Sequence, residues 1–284
     1  MNNKIGFNLL AWSAGVSEDL VPHAERLKKI GYDGIECAMG ERNKQKYKIF
    51  GDHLSNLGLE ATCVLVVGAD ENPASESAAT RAKGLDRIKE AIDCAYEIKS
   101  KIIAGPFHSA FATFSRQNIK EVEYERSAEV LHAAGEHAAK AGVTLTPEAL
   151  NRFEIYLCNT MQQLLKLIQM ADHTNVKAMF DTHHANMEEK KYETAIKTIA
   201  PVLRHVHISE NDRGTPGDGH IPWDETFATL ASIQYKGWLT IEAFSRNDEE
   251  FANAINVWRE FSPPWDIAEK GFAFIQKMGQ KHGL

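Results

Sequence analysis

The feature that most constrains the fold is an alternation of short apolar runs with longer segments of helical spacing, repeated eight times. This alternation is typical of βα units around a parallel sheet. The apolar runs predict strands at residues 4–10, 34–39, 61–67, 101–105, 143–148, 177–181, 204–209 and 239–244. The clearest amphipathic segments predict helices at residues 20–30, 81–98, 130–141 and 160–171.

Eight βα units in 284 residues favour one closed TIM barrel, an α/β fold of eight strands and eight helices, over residues 1–284. Such barrels typically need about 250 residues. The alternative, an open Rossmann sheet, is disfavoured because no GxGxxG motif follows a predicted strand. We expect the Pro-Pro-Trp stretch at residues 263–265 to interrupt the last helical region.

Charge and cysteine content narrow the class of protein. The net charge of −7 argues against a general nucleic-acid binder, because such proteins usually carry a basic stripe. No window of 18 apolar residues predicts a membrane span, and the N-terminal residues do not resemble a signal peptide. The cysteines form no CxxC pair and are predicted to be buried free thiols: Cys37, Cys63, Cys94 and Cys158. We therefore expect a cytoplasmic enzyme without nucleic-acid or membrane partners.

Four consecutive predicted strands, the fifth to the eighth, each end in or carry a possible metal ligand. These residues are Glu148, Asp181, His207 and Glu242. One such residue alone would usually be a helix cap, a salt-bridge partner or a core histidine. Active residues of TIM barrels lie at the carboxyl ends of the strands, however, so the four are expected to converge. Buried carboxylates need a cation, and carboxylates with one imidazole suit Mn²⁺, Mg²⁺ or Co²⁺.

The loops after these strands are rich in groups that bind hydroxyls. The long loop after His207 contains several glycines and polar side chains, which is typical of a pocket-forming loop. Aromatic rings can also cover the C–H faces of a sugar, although core packing is an equally good explanation for each ring. The aromatic candidates are Phe7, Trp12, Phe111, Trp223 and Phe244.

Four segments carry a resemblance to a known family: PEALNRFEIYLCNT, FDTHHANMEE, HVHISENDRGTPGDGHIPW and LTIEAF. They resemble the D-tagatose 3-epimerase and D-psicose (allulose) 3-epimerase group of the xylose isomerase-like TIM barrels. The order and spacing of the motifs agree from the first strand to about Trp258. The resemblance implies one divalent metal per chain, with Mn²⁺ favoured over Co²⁺ or Mg²⁺. It also implies a sugar substrate and a homodimer or homotetramer.

The resemblance further implies roles for individual residues. Glu148, Asp181, His207 and Glu242 would be the metal ligands, and Glu148 and Glu242 would also be the catalytic acid/base pair. The implied contacts to the substrate are Glu154, His184, Arg213 and Gly105, to which we add the aromatic residues Phe7, Trp12 and Phe244.

The function that the resemblance implies is a metal-dependent ketose 3-epimerase. It would invert C3 of a ketose through a metal-stabilised enediolate. The ketose is expected to be non-phosphorylated, because no basic cluster or glycine-rich phosphate cradle is evident. The loops at residues 64–73 and 105–116 depart from the family pattern, which keeps other sugar chemistries open. These are an aldose–ketose or inosose isomerase and an enzyme that processes 3-keto-glycosides, including C-glycoside cleavage. A non-catalytic sugar-binding barrel and a DNA-repair endonuclease are weaker alternatives.

Overall fold

The computed structural model describes residues 3–284, and this part of the chain forms a barrel of eight parallel strands surrounded by helices. The strands are β1 (Ile5–Asn8), β2 (Gly34–Ala38), β3 (Glu60–Val64), β4 (Ile102–Gly105), β5 (Thr144–Pro147), β6 (Ala178–Asp181), β7 (Leu203–Ile208) and β8 (Trp238–Ile241). All eight lie within or at one residue of the predicted runs, so the predicted order of elements is confirmed.

The strands follow one another around the barrel in chain order, and β1 pairs with both β2 and β8. The remaining gap lies between β5 and β6. There, the Leu145 N–H donates to the Asn175 carbonyl and the Lys177 N–H donates to the Leu145 carbonyl, each at 2.8 Å. These bonds nearly close the sheet, which confirms the TIM barrel and excludes the open Rossmann arrangement.

Helices cover the outside of the barrel, and several have clear start and stop signals. The helices are α1 (Val21–Ile30), α2 (Lys44–Asn56), α3 (Ala78–Glu97), α4 (Glu121–Ala141), α5 (Met161–Ala171), α6 (Thr182–Glu188), α7 (Tyr192–Ile199), α8 (Trp223–Ser232), α9 (Glu249–Ala254) and α10 (Pro264–His282). Gly31, which ends α1, has φ 123°, a conformation that L side chains rarely adopt. In the middle of the 263–265 stretch, Pro264 is the first residue of α10, a position where its missing N–H costs nothing.

Helix α4 begins earlier than the amphipathic pattern predicted. The pattern indicated residues 130–141, whereas the helix begins at Glu121. The Glu123 carboxylate accepts a hydrogen bond of 2.8 Å from the Lys120 N–H, which caps the first turn. Tyr124 and Ala128, which lie in the additional turns, pack into the same core as the predicted part of the helix.

The main hydrophobic core lies between the strands and the surrounding helices. Residues on the outward face of the strands are fully buried there, for example Phe7, Ile35, Phe180 and Leu239. All four cysteines are buried and free, as predicted. Within residues 3–284, no helix combines the length and the apolar character needed to cross a membrane.

Candidate active site

The barrel brings the four predicted ligands to the carboxyl ends of β5 to β8. Glu148 follows β5, Asp181 ends β6, His207 lies near the end of β7 and Glu242 follows β8. Asp181 is in register with His207, and His207 is in register with Thr240 of β8. Parallel strands in register end at the same edge, so the side chains meet although the chain separates them by up to 94 residues (242 − 148).

The distances confirm that these four side chains form one buried cluster. The Nδ1 atom of His207 lies 3.4 Å from Glu242 Oε2, 3.6 Å from Asp181 Oδ2 and 4.0 Å from Glu148 Oε1. One possible ligand atom from each residue lies within 4.8 Å of the others. The exposed fraction of every one of the four is 5% or less. The geometry is therefore compact enough for all four to hold one ion.

Two unpartnered atoms test whether the residues fit a metal. Within the described chain, His207 Nδ1 and Glu148 Oε1 are buried and have no hydrogen-bond partner. The other ring nitrogen, Nε2, lies 2.6 Å from the Glu36 carboxylate and therefore carries the proton. In the neutral ring the lone pair of Nδ1 then faces three carboxylates at 3.4 to 4.0 Å, an arrangement that either a second ring proton or a bound metal ion satisfies. Three carboxylates and one imidazole fit Mn²⁺, Mg²⁺ or Co²⁺.

The pKa shifts report the same concentration of negative charge. Burial raises the pKa of Glu148 well above its ordinary value, and the nearby Glu242 carboxylate raises it further. Burial alone would lower the pKa of His207, but the charges of Glu242 and Glu36 raise it well above its ordinary value. Burial also opposes ionisation of Asp181, yet the Arg213 guanidinium holds the pKa of that carboxyl well below its usual range.

Arg213 touches the ligand cluster directly. Its Nη1 atom donates to Glu242 Oε2 at 2.8 Å and to Asp181 Oδ2 at 2.9 Å. Its Nη2 atom lies 2.8 Å from His184 Nε2, and its guanidinium lies 4.7 Å from the centre of the Phe244 ring. The structure thus brings three of the predicted substrate-binding residues, Arg213, His184 and Phe244, to the edge of the ligand cluster.

Glu154 is joined to His184 through Asn151. The Asn151 side-chain amide donates to Glu154 Oε1 at 2.8 Å, and the Asn151 backbone N–H donates to His184 Nδ1 at 3.2 Å. Burial, followed by the charge of Arg213, lowers the pKa of His184 well below its ordinary value, so the ring is neutral. Burial raises the pKa of Glu154. Both side chains offer hydrogen-bonding groups next to the four ligands.

A cavity of about 490 Å³ opens over the cluster. Its inner end is polar and is lined by Glu148, Glu154, His184, Arg213 and Glu242. The rest of its wall is mainly apolar, with Val64, Val66, Phe111, Phe244, Phe251, Ile255, Val257 and Phe261, but it also includes His183, Asn211, Asp212, Asn256 and Arg259. Two of the aromatic candidates from the sequence, Phe111 and Phe244, therefore line the cavity.

Phe7 and Trp12 do not line this cavity, in contrast to the prediction. Phe7 is fully buried, with its ring centre 5.0 Å from that of Trp12 and 5.5 Å from that of Tyr32. Trp12 packs in turn on Trp265 of α10, at 4.7 Å. Successive side chains of a strand point to opposite faces, and Asn8 points into the barrel. Phe7 must therefore face the helices.

Gly105 and Trp223 also lie outside the cavity wall. Gly105 has φ 114°, and a Cβ atom there would lie 2.5 Å from the Leu65 carbonyl oxygen, so its place at the end of β4 is explained by backbone packing. Its neighbour Pro106 lines the cavity. The Trp223 indole packs against Phe274 and donates to Glu210 at 3.0 Å.

Two buried carboxylates next to the site were not predicted. Glu36 of β2 contacts His207 and His205, and these contacts outweigh its burial and hold its pKa well below the ordinary value. Glu210 accepts hydrogen bonds from the N–H groups of Asn211, Gly217 and Ile221 as well as from Trp223, which fixes the loop that carries Arg213. For Glu36, the available sequence signal was its position as a charged residue within the apolar run GIECAM.

Comparison with known proteins agrees with this geometry. Residues 24–278 match the model of the xylose isomerase-like TIM barrel family. The chain belongs to this family. It is 30% identical to D-psicose 3-epimerase of Agrobacterium fabrum, over 94% of this chain and 93% of that protein. It is 31% identical to D-psicose 3-epimerase of Ruminiclostridium cellulolyticum, over 91% and 90%.

A solved structure of L-ribulose 3-epimerase superposes with a TM-score of 0.91 at 27% identity, covering 99% of this chain and 96% of that one. The family resemblance stated from the sequence is therefore confirmed. So is the enzyme class, a sugar isomerase or epimerase, because the relatives are ketose 3-epimerases that align along almost their whole length.

Proposed function

We propose that this xylose isomerase-like barrel is a metal-dependent ketose 3-epimerase that acts on a non-phosphorylated ketose. The observation that carries the proposal is the pair of glutamates, Glu148 and Glu242, in one buried cluster with Asp181 and His207. They follow β5 and β8, and the two strands between these, β6 and β7, carry the other two ligands. Relatives named D-psicose and L-ribulose 3-epimerases support the choice of reaction.

The reaction needs a base and an acid on opposite faces of C3. One glutamate takes the C3 proton, and the other returns a proton to the opposite face, so that the configuration inverts. A divalent metal held by Glu148, Asp181, His207 and Glu242, with Mn²⁺ as our choice, supplies Lewis-acid stabilisation of the charge that develops on the sugar oxygens. In the metal-free protein, burial and the nearby Glu242 carboxylate raise the pKa of Glu148, whereas a bound cation favours the ionised carboxylate that accepts the C3 proton.

The residues around the glutamates orient the sugar. Arg213 offers N–H donors and Glu154 offers carboxylate acceptors at the polar end of the cavity, where a ketose would place its carbonyl and hydroxyl groups. The neutral ring of His184 lies 3.7 Å from Glu148 and adds a further polar contact. The Phe244 ring, which stacks on Arg213, presents an apolar face to the C–H groups of the sugar.

The charge of the cavity favours a substrate without phosphate. Along the part of the chain that the structure describes, the cavity wall carries two arginines, Arg213 and Arg259. Arg213 is already paired with Asp181 and Glu242, and Arg259 stacks on Phe261. Neither forms the cluster of donors that a phosphate group needs.

A second function is favoured by the apolar residues of the cavity wall. A free ketose offers hydroxyl groups along its whole length, whereas Val64, Val66 and Phe111 offer it no hydrogen bonds. A 3-keto-glycoside with an apolar substituent would bury that substituent against this wall. Conversion of such a glycoside, with no turnover of free ketoses, would replace the proposed substrate class.

The experiment begins with chelator-treated protein, reloaded separately with Mn²⁺, Mg²⁺ or Co²⁺. Each form is incubated with D-fructose, D-tagatose, L-ribulose and a 3-keto-glycoside, and the products are separated by chromatography. We expect C3 epimers of at least one free ketose, formed only with metal. Metal-independent turnover, or reloaded protein that converts none of the ketoses, would overturn the proposal.

The proposal also covers the assembly state and the location in the cell. We propose a homodimer or homotetramer, as the resemblance implies, and light scattering of the purified chain tests this. The expected cytoplasmic location is tested by fractionation of the source cells.

A further inference from the structure

Glu36 is a fully buried carboxylate that lies behind the ligand cluster. Its Oε1 atom lies 2.6 Å from His207 Nε2 and accepts a hydrogen bond of 3.0 Å from the Asn8 side-chain amide. Its Oε2 atom lies 2.8 Å from His205 Nε2 and accepts a hydrogen bond of 3.1 Å from the Thr62 hydroxyl. Burying a charge at this depth is costly. A buried carboxylate that is surrounded by two imidazoles, an amide and a hydroxyl therefore indicates a specific use.

The bond from His207 to Glu36 determines which nitrogen faces the ligands. A carboxylate only accepts hydrogen bonds, so the imidazole proton resides on Nε2. The Nδ1 lone pair is then directed at Asp181, Glu148 and Glu242, at distances of 3.4 to 4.0 Å. Without Glu36 the proton could reside on either nitrogen, and the Nδ1–H form cannot bind a cation.

Asn8 links the same carboxylate to a second ligand. Its amide nitrogen donates to Glu36 Oε1 at 3.0 Å and to Glu242 Oε1 at 3.2 Å. Its amide oxygen accepts from the Leu10 N–H at 2.9 Å, which fixes which way the amide points. Oε1 of Glu242 is thus held from behind, while Oε2 faces His207 and Arg213.

We propose that Glu36, supported by Asn8, is a positioning residue of the metal centre. It keeps His207 in the Nε2–H tautomer and so presents Nδ1 to the cation. The inference rests on the proposed function, because it assumes that the four ligands bind a metal. Partners that orient a metal-binding histidine typically contribute about 10–100-fold to metal affinity.

The test measures Mn²⁺ binding to the full-length protein after chelator treatment, by titration calorimetry and by the electron paramagnetic resonance of free Mn²⁺. Glu36→Gln preserves side-chain size but removes the charge. We expect its dissociation constant to be about 10–100-fold weaker than that of the unaltered protein. The matched control is Glu123→Gln, a buried carboxylate that accepts from Tyr156 and Lys120 and touches none of the four ligands. It should bind Mn²⁺ as the unaltered protein does.

A second readout separates positioning from a merely structural role. Nitrogen-15 spectra of the histidine rings in the metal-free protein, recorded at a pH above the raised pKa of His207 so that the ring is neutral, should show His207 as the Nε2–H tautomer in the unaltered chain. The Glu36→Gln variant should show a mixture. If that variant does not fold, Asn8→Ala, which leaves Glu36 in place, is expected to weaken Mn²⁺ binding by a smaller factor.

The possible failures are distinguishable. An unaltered protein that binds no Mn²⁺ would contradict the proposed function itself. Unaltered protein that binds Mn²⁺, together with a folded Glu36→Gln or Asn8→Ala variant of equal affinity and tautomer, would overturn the positioning role alone.

Discussion

Arg213 is the positive charge that the structure places against the ligand cluster, and its removal gives a quantitative prediction. The change is Arg213→Gln. In the present structure its Nη1 atom bonds to Asp181 Oδ2 and Glu242 Oε2 at 2.9 and 2.8 Å, and the side chains of all three residues are at most 8% exposed. The variant therefore leaves two buried carboxylates without their cationic partner.

The magnitude follows from the burial of this ion pair. Removing one partner of a buried pair costs about 3–5 kcal/mol of the free energy of unfolding. Each kcal/mol corresponds to about 2–4 °C in the unfolding midpoint of a chain of 150–250 residues, so a fall of at least roughly 6 °C is expected in metal-free protein. The loss should shrink as the pH falls, because protonation of one carboxyl removes the uncompensated charge.

The assay is thermal and urea unfolding of metal-free protein at neutral and at acidic pH, with and without excess Mn²⁺. Mn²⁺ should stabilise the Arg213→Gln variant more than the unaltered protein. In the variant the cation replaces the missing guanidinium charge, whereas in the unaltered protein it is repelled by the Arg213 guanidinium. The control is Arg26→Gln. Arg26 pairs with Glu269, both side chains are about half exposed (47% and 54%), and such pairs contribute about 0–1 kcal/mol.

Two results would refute the reasoning. One is a metal-free Arg213→Gln variant within about 1 kcal/mol of the unaltered protein, similar to the exposed control. The other is an equal gain from Mn²⁺ in both proteins, which would mean that the cation does not bind beside Asp181 and Glu242.

Three further predictions concern catalysis and pH. Glu242→Gln should lower turnover by about 10²–10⁴-fold because it removes one of the two proton-transfer groups. An unchanged kcat would contradict the assignment of two proton-transfer groups. Glu154→Gln should weaken turnover but retain bound metal, since this side chain contacts Asn151 and none of the four ligands; metal analysis after gel filtration checks this. The raised pKa of Glu148 means that the folded, metal-free protein binds a proton more readily than the unfolded chain, so this group costs stability above its raised pKa and the cost disappears as the pH falls. The gain in unfolding temperature from Mn²⁺ should therefore be larger at pH 8 than at pH 5, and an equal gain at both would contradict the assignment of Glu148 as a ligand.

The ligand set was predictable because it depends on strand ends. Alternating apolar and helical segments located each strand to within a few residues, and parallel strands of a barrel deliver their last side chains to one edge. Glu148, Asp181, His207 and Glu242 could therefore be grouped without knowledge of distances. Arg213 and His184 followed from the family resemblance, and their placement at the cluster agrees with it.

The errors and omissions have a different physical origin. Phe7 was assigned to the substrate because an aromatic ring can cover the C–H face of a sugar, but the two-residue period of β1 gives the inner face to Asn8. Glu36 was missed because its partner His207 lies 171 residues away in the chain, and the one available signal, a charged residue within an apolar run, does not identify that partner. The apolar wall from Phe251 and Val257 depends on how the segment after β8 folds back, which no local signal specifies.

The measurement that tests the central claim most directly is isotope transfer at C3. The Mn²⁺-loaded protein is incubated with an unlabelled ketose in deuterium oxide, and the C3 epimer formed early in the reaction is examined by NMR. Deprotonation by one glutamate and reprotonation by the other predicts deuterium at C3 of the product. A C3 epimer that retains its original hydrogen would contradict the proton-transfer roles of Glu148 and Glu242.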